Sequence, residues 1–291
     1  MNGANSVDGA NGLTVTGLTV RFAGLTALDG VSFTVAPGTV HALIGPNGAG
    51  KSTCFNVLSG VYRAAAGSVR FGGGELTGLA PHRIAALGVA RTFQNIALSG
   101  RQTVEDNLML GRHRLTRAGF ASAGLRLPRA RREDARHRAR VREIARFVGV
   151  DEHLGAPAGT LPYGAQKRVE LARALAMEPS LLLLDEPVAG MDGGERRRMA
   201  EVVLAARADL DMTVLLVEHD MGMVMRLADR VTVLDFGRRI ADGPPGEVQR
   251  DPAVVRAYLG GAAARGTAES DAHDAHDAHD SAEGGKGGEP G

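Results

Sequence analysis

Apolar and polar positions alternate with a period of two through LTVTGLTVRF, VSFTVAPG and TVHALIG, so the first ordered stretch, Leu13 to Ile44, is predicted to be β-strands. The pattern then changes. VHALIG runs into a glycine-rich loop, and KSTCFNVLSG follows as a helix. A short strand, GSVRF, and a helix from near Pro81 come next. Residues 103 to 154 are mostly helical in pattern, with an interruption between Gly119 and Pro128. Beyond Leu161 the spacing predicts helix 164–177, strand 181–185, helix 193–208, strand 213–218, helix 220–227 and strand 230–234, with a last helix in PAVVRAYL at 252–259. Such alternation implies a mostly parallel sheet covered on both faces, interrupted by a helical insertion.

Both ends depart from this rhythm. Residues 1 to 12 read as a flexible polar leader, and residues 261 to 291 as a disordered low-complexity tail that includes DAHDAHDAHD. His273, His276 and His279 there could loosely hold a transition metal, but the composition predicts disorder instead. The chain has 291 residues and a formal net charge of +1. The tail carries seven acidic and two basic residues, hence −5, which leaves about +6 on the rest. That balance calls for no nucleic acid. The arginines from Arg112 to Arg146 read as a solvated helix face, with a surface toward anionic lipid headgroups as the sharper alternative. No apolar run approaches the roughly 18 residues that span a bilayer. The N-terminus lacks the basic start and apolar stretch of a secretory signal, and a single cysteine, Cys54, suits a reducing compartment. A cytoplasmic location is the expectation.

The lysines are only three: Lys51, Lys167 and Lys286. Lys51 stands inside GPNGAGKST, which runs Gly45, Pro46, Asn47, Gly48, Ala49, Gly50, Lys51, Ser52, Thr53 and fits G-x-x-x-x-G-K-S/T. Glycines let successive amide N–H groups point at a phosphate, and the following helix adds its positive end. Lys51 is expected at the β- and γ-phosphates, and Ser52 at Mg²⁺. A bare glycine turn before a helix would not explain every fixed position. In LLLLDEP four leucines form a buried strand that delivers Asp185 to its carboxyl end, where it would hold Mg²⁺ through water. Glu186 then stands ready to orient or deprotonate the attacking water.

The segment LPYGAQKRVELARAL, just before LLLLDEP, decides the class: over about residues 13 to 260 the chain resembles the ATP-binding cassette (ABC) ATPases. The resemblance implies a P-loop NTPase ABC ATPase core, a mostly parallel sheet flanked by helices with an antiparallel β region, plus a helical subdomain inserted at about 97–160. It implies that Leu161, Pro162, Tyr163 and Gly164 form the loop that caps the γ-phosphate held by a partner subunit. Pro162 stands where the family usually has a serine, so a hydroxyl and a backbone donor are missing. Gln94 in RTFQN fits the glutamine loop that senses Mg²⁺ and the membrane partner. Asp192 in AGMD fits the loop that crosses the dimer interface. His219 in LLVEHDM fits the switch histidine at the γ-phosphate. Phe22 fits the aromatic that stacks on adenine, with a core phenylalanine as competitor.

RFAGLTALDGVSF, ARTFQNIALSGRQTVEDNLMLGRH, EPVAGMD and ADGPPGEVQRDPAVVRAYLG resemble one branch, the ATP-binding subunits of branched-chain amino acid importers, in which LPYG is usual. The function implied is ATP hydrolysis that powers uptake across the cytoplasmic membrane, with ATP and Mg²⁺ as ligands. The partners implied are a second, different ATPase subunit, two membrane permease subunits and, indirectly, a solute-binding protein. The chain would lie on the inner face of the membrane. Unequal ATP sites in the heterodimer follow as an expectation from Pro162. Other cargoes (urea or amides by import, lipopolysaccharide by export) stay open, as does a soluble cassette acting on ribosomes or DNA. The single P-loop and the short, interrupted helical insertion count against the last.

Overall fold

A computed structural model describes residues 12–116 and 128–259. Most of the leader, the interruption between Gly119 and Pro128, and the tail with its three histidines lie outside these residues.

Among the described residues, ten strands form two sheets. β1 (Leu13–Phe22), β2 (Leu25–Val35), β4 (Ala66–Phe71) and β5 (Gly74–Glu75) make a four-stranded antiparallel sheet in the order β2-β1-β4-β5. The second sheet has the order β10-β9-β3-β8-β7-β6, from β3 (Val40–Ile44), β6 (Val89–Arg91), β7 (Leu181–Asp185), β8 (Thr213–Val217), β9 (Arg230–Asp235) and β10 (Arg238–Gly243). All its pairings are parallel except β9 with β10. The alternation along the chain anticipated this sheet. Two short strands, β6 and β10, were not anticipated, since each has too few apolar residues to show a period.

The runs of Leu, Val and Ile in β3, β7 and β8 are apolar on both faces because both faces are covered. Ala42, Leu182, Leu184 and Leu216 point into one core, and Leu43, Leu181, Leu183 and Leu215 into the other. The second core is shared with the antiparallel sheet and with α1 (Lys51–Leu58), whose Phe55 is fully buried. After α2 (Pro81–Ala86), the helices α3 (Val104–Arg112), α4 (Pro128–Val148), α5 (Tyr163–Leu175), α6 (Gly193–Asp209) and α7 (Met221–Leu227) contribute to the first core. In α4 the buried set Val141, Ile144, Ala145 and Val148 has the i, i+3, i+4, i+7 spacing of a one-sided helix. A short helix α8 (Pro245–Val248) and helix α9 (252–259) close the described chain.

The arginines of α3 and α4 are not simply a solvated face. Arg112 is buried, with its Nε donating to His137 Nδ1 at 3.1 Å and a guanidinium nitrogen 2.9 Å from Glu178. Arg138 bridges Glu105 and Asp134, Arg140 bridges Glu143 and Glu178, and Arg142 reaches Glu105. Arg114 donates to the carbonyls of Ala85 and Met177. These side chains stitch the helices to one another, so much of their charge is matched internally.

Candidate nucleotide site

In a parallel sheet every strand ends at the same edge, and side chains far apart in sequence leave that edge together. Gly45 follows β3, Gln94 comes shortly after β6, Asp185 and Glu186 close β7, His219 follows β8, and Phe236 follows β9. A cleft of about 620 Å³ opens there, lined by the glycine loop from Asn47 to Thr53, by Phe22 and Leu25, by Gln94 and Glu186, and by Phe236.

The loop's shape depends on close approach. A Cβ on Gly45 would meet the Leu234 carbonyl oxygen, and one on Gly50 would lie 2.7 Å from the Ala27 carbonyl oxygen. Gly50 caps α1 with φ 100°, a left-handed conformation. The Lys51 ammonium is largely withdrawn from water and donates to the carbonyls of Gly45 at 2.8 Å and Pro46 at 2.9 Å. Burial lowers its pKa, opposed by the charges of Glu186 and Asp185. A partly desolvated cation of this kind favours an incoming anion. Ser52 beside it is exposed, and the Ala49 N–H donates to Pro46.

Two residues proposed from the sequence, Gln94 and His219, converge on the carboxylate of a third, Glu186. Glu186 Oε2 accepts a hydrogen bond from Gln94 Nε2 at 3.1 Å, and His219 Nδ1 is 3.8 Å from the same oxygen. Glu186 has φ 46°, a conformation that costs a non-glycine residue on the order of 1–3 kcal/mol and often marks functional sites. Behind it Asp185 is buried. Phe22 is no core residue: it is 41 % exposed at the cleft and meets the Tyr62 ring edge-on at 5.1 Å.

The remaining predicted residues lie apart from this cleft. Pro162 is the N-cap of α5, and its N-cap position carries no side-chain hydrogen bond. Leu161 is buried, while Tyr163 is exposed with its ring against Gly190. Gly164 is buried where a Cβ would strike the Glu195 carboxylate. Asp192 caps α6 by accepting from Gly194 and Glu195, and Glu195 reaches back to the Asp192 N–H, a complete capping box. Those bonds hold the Asp192 carboxyl below its usual pKa.

Sequence reasoning missed three contributors. Arg91 donates to Asp185 Oδ2 at 2.8 Å. Glu218 is fully buried and accepts from the N–H groups of Val188, His219 and Asp220, tying the histidine turn to the segment after Glu186. Its burial raises its pKa. Phe236 is 87 % exposed with φ 42°, in the β9–β10 turn at the cleft mouth. A phenylalanine in a turn slot, and an acid ending the apolar run TVLLV, were the available signals.

The profile of the ABC transporter family matches residues 28–189, and that of the branched-chain amino acid ATP-binding cassette transporters matches residues 238–264. The chain is 40% identical over 250 residues to the high-affinity branched-chain amino acid transport ATP-binding protein BraF of Pseudomonas aeruginosa, covering 86% of this chain and 98% of that one. It is 39% identical, with the same coverage, to LivG of Escherichia coli, a protein of the same description. A crystal structure of an ATP-binding cassette of an ABC transporter in its ADP conformation superposes with a TM-score of 0.75 at 32% identity, covering 86% of this chain and 99% of that one. Fold, cleft and relatives agree: the chain belongs to the ATP-binding cassette transporter ATPases, in the branch of the branched-chain amino acid ATP-binding proteins.

Proposed function

We propose that this ATPase powers the uptake of branched-chain amino acids across the cytoplasmic membrane, and that its chemistry is performed by the residues gathered at the strand ends. The convergence of Gln94 and His219 on Glu186, at the mouth of a lysine-bearing glycine loop, carries the chemical part of this reading. The likeness to BraF and LivG carries the cargo.

Free backbone N–H groups of the Gly45–Thr53 loop, with Lys51, hold the triphosphate of ATP, and Phe22 takes the adenine. The site fits Mg²⁺. Asp185 Oδ1 accepts no hydrogen bond among the described residues, and the Ser52 hydroxyl is open to the cleft edge. No three His, Cys, Asp or Glu side chains cluster into a protein cage among the described residues. So sparse a set of oxygens suits a hard cation that keeps waters and takes phosphate oxygens. Ser52, Asp185 and Gln94 would hold it. When bound, Mg²⁺ neutralises charge building between the β- and γ-phosphates. Glu186 accepts the proton of the attacking water, and His219 steadies that water and the γ-phosphate. Leu161, Pro162, Tyr163 and Gly164, with Asp192, face the nucleotide of a second, different ATPase subunit. That site, capped with a proline instead of a serine, is the weaker of two.

No helix among the described residues is long and apolar enough to cross a membrane. The likeness to subunits of membrane transporters supports a peripheral subunit on the inner membrane face, docked near Gln94 and the helical segment onto two permease subunits that receive cargo from a solute-binding protein. Closure around ATP and reopening after hydrolysis shift the permeases between two states. The test is co-reconstitution with the neighbouring membrane subunits in vesicles. ATP-dependent leucine uptake, lost in Glu186→Gln, is the expected result. Urea uptake in its place overturns the cargo, and normal hydrolysis by Glu186→Gln overturns the assignment of the base.

A further inference from the structure

Arg91 is the last residue of β6 and belongs to none of the phosphate-handling motifs. Its side chain is only 11% exposed. One guanidinium nitrogen donates to Asp185 Oδ2 at 2.8 Å. The other donates to Asn56 Oδ1 and Ser59 Oγ, each at 2.8 Å. Phe55 and Phe93 flank the guanidinium at 5.7 and 5.5 Å from their ring centroids. Asn56 and Ser59 belong to the helix that Lys51 begins and its C-cap. One planar fork therefore joins the end of β7, the phosphate-loop helix and the segment leading to Gln94. A lysine offers one compact charge and could not reproduce this geometry.

We propose that Arg91 is a positioning residue: by pinning Oδ2 of Asp185 it orients that carboxylate for the Mg²⁺–nucleotide and couples it to the glutamine segment. Asp185 is buried, and a carboxylate there without a partner would be free to turn. With Oδ2 held, rotation about the carboxylate stops and Oδ1 is left for the cation's water. The same segment is fastened to β7 at further points. Thr92 N–H donates to Leu183 O at 3.0 Å, Asp185 N–H donates to Thr92 Oγ1 at 3.3 Å, and Gln94 donates to Glu186. A displacement of Phe93 and Gln94 is thus carried to Asp185 through the guanidinium. The inference rests on the reading that Asp185 serves Mg²⁺.

The experiment is equilibrium binding of a fluorescent ATP analogue to the purified full chain, titrated with Mg²⁺ from an EDTA baseline, so that no turnover is needed. Partners that orient a metal-holding group typically change metal affinity by about 10–100-fold when removed. Arg91→Met is expected to raise the Mg²⁺ concentration for half-maximal effect about tenfold, and Arg91→Lys to recover only part of that loss. Binding in EDTA stays unchanged in both. Asn56→Ala with Ser59→Ala keeps the Arg91–Asp185 pair but loosens it, and shifts the requirement in the same direction by a smaller factor. This pair decides the matter if Arg91→Met does not fold. An unchanged or lowered Mg²⁺ requirement in Arg91→Met, or in the Asn56/Ser59 variant where that must decide, overturns the inference. Asp185→Asn separates the two levels. If it raises the requirement while Arg91→Met does not, only the role of Arg91 falls; if it too has no effect, the reading of Asp185 falls.

Discussion

His41 offers a prediction whose size follows from its surroundings. It lies in β3, four residues before Gly45, and is 1 % exposed. Its Nε2 is 2.8 Å from Thr232 Oγ1, and its ring lies 5.7 Å from that of Phe33. Burial lowers its pKa from 6.5 to about 4, with Asp242 opposing the shift and Arg230 adding to it. The folded protein thus keeps the ring neutral while the unfolded chain protonates it near 6.5. The stabilisation is full above the unfolded pKa and is lost as pH falls through the folded one. Between pH 7.5 and pH 5 the unfolded state gains nearly all of the proton and the folded state almost none. Stability should therefore fall by about 2 kcal/mol from this group alone. Other groups titrate over the same range, so the measurement is a difference. Urea unfolding of the native chain and of His41→Gln is followed at both pH values. The native chain should lose about 2 kcal/mol more than the variant. Equal losses would refute the argument that burial holds this imidazole neutral.

Gly45→Ala should weaken ATP binding about five-fold or more by equilibrium titration, because the new methyl strikes the Leu234 carbonyl and the loop must move, an overpacking strain of about 1–3 kcal/mol; wild-type affinity would mean the strand end can give way. Pro162→Ser should tighten ATP at the partner subunit's site several-fold by supplying a hydroxyl and an amide, and no change there argues against unequal sites. Phe236→Ala should raise the dissociation constants of ATP and ADP alike, by about five-fold or more if the ring covers the base, with kcat preserved. Parallel titrations with the two nucleotides check it.

The long elements were legible because their patterns are physical. A short run such as Leu181 to Leu184 fits a strand buried on both faces, and Met199, Ala200, Val203 and Ala206 give α6 the spacing of a helix with one apolar side. The chemistry was legible where a residue type is rare in its setting: a lysine in a glycine loop, an Asp-Glu pair after four leucines. What stayed hidden depends on contacts between distant segments. Nothing local in ARTFQN says that Arg91 meets Asp185, because the pairing exists only once β6 lies beside β7. Nothing local marks Glu218 either, because the three amides that meet it are brought together only by the fold. The arginines of α4 read as solvated because the partners that tie them to the rest of the fold, Glu105 and Glu178, sit on other elements.

The turn after β9 has one more consequence. The Gly237 N–H donates to the Ala49 carbonyl at 3.1 Å, and its own carbonyl accepts from Asp29. The phosphate cradle is therefore propped by residues translated long after it. A nascent chain that has emerged only as far as the DEP segment already contains every letter of the glycine motif, yet lacks the hairpin beneath it. Nucleotide should not protect such a chain from proteolysis, and should begin to do so only once β9 and β10 have left the ribosome.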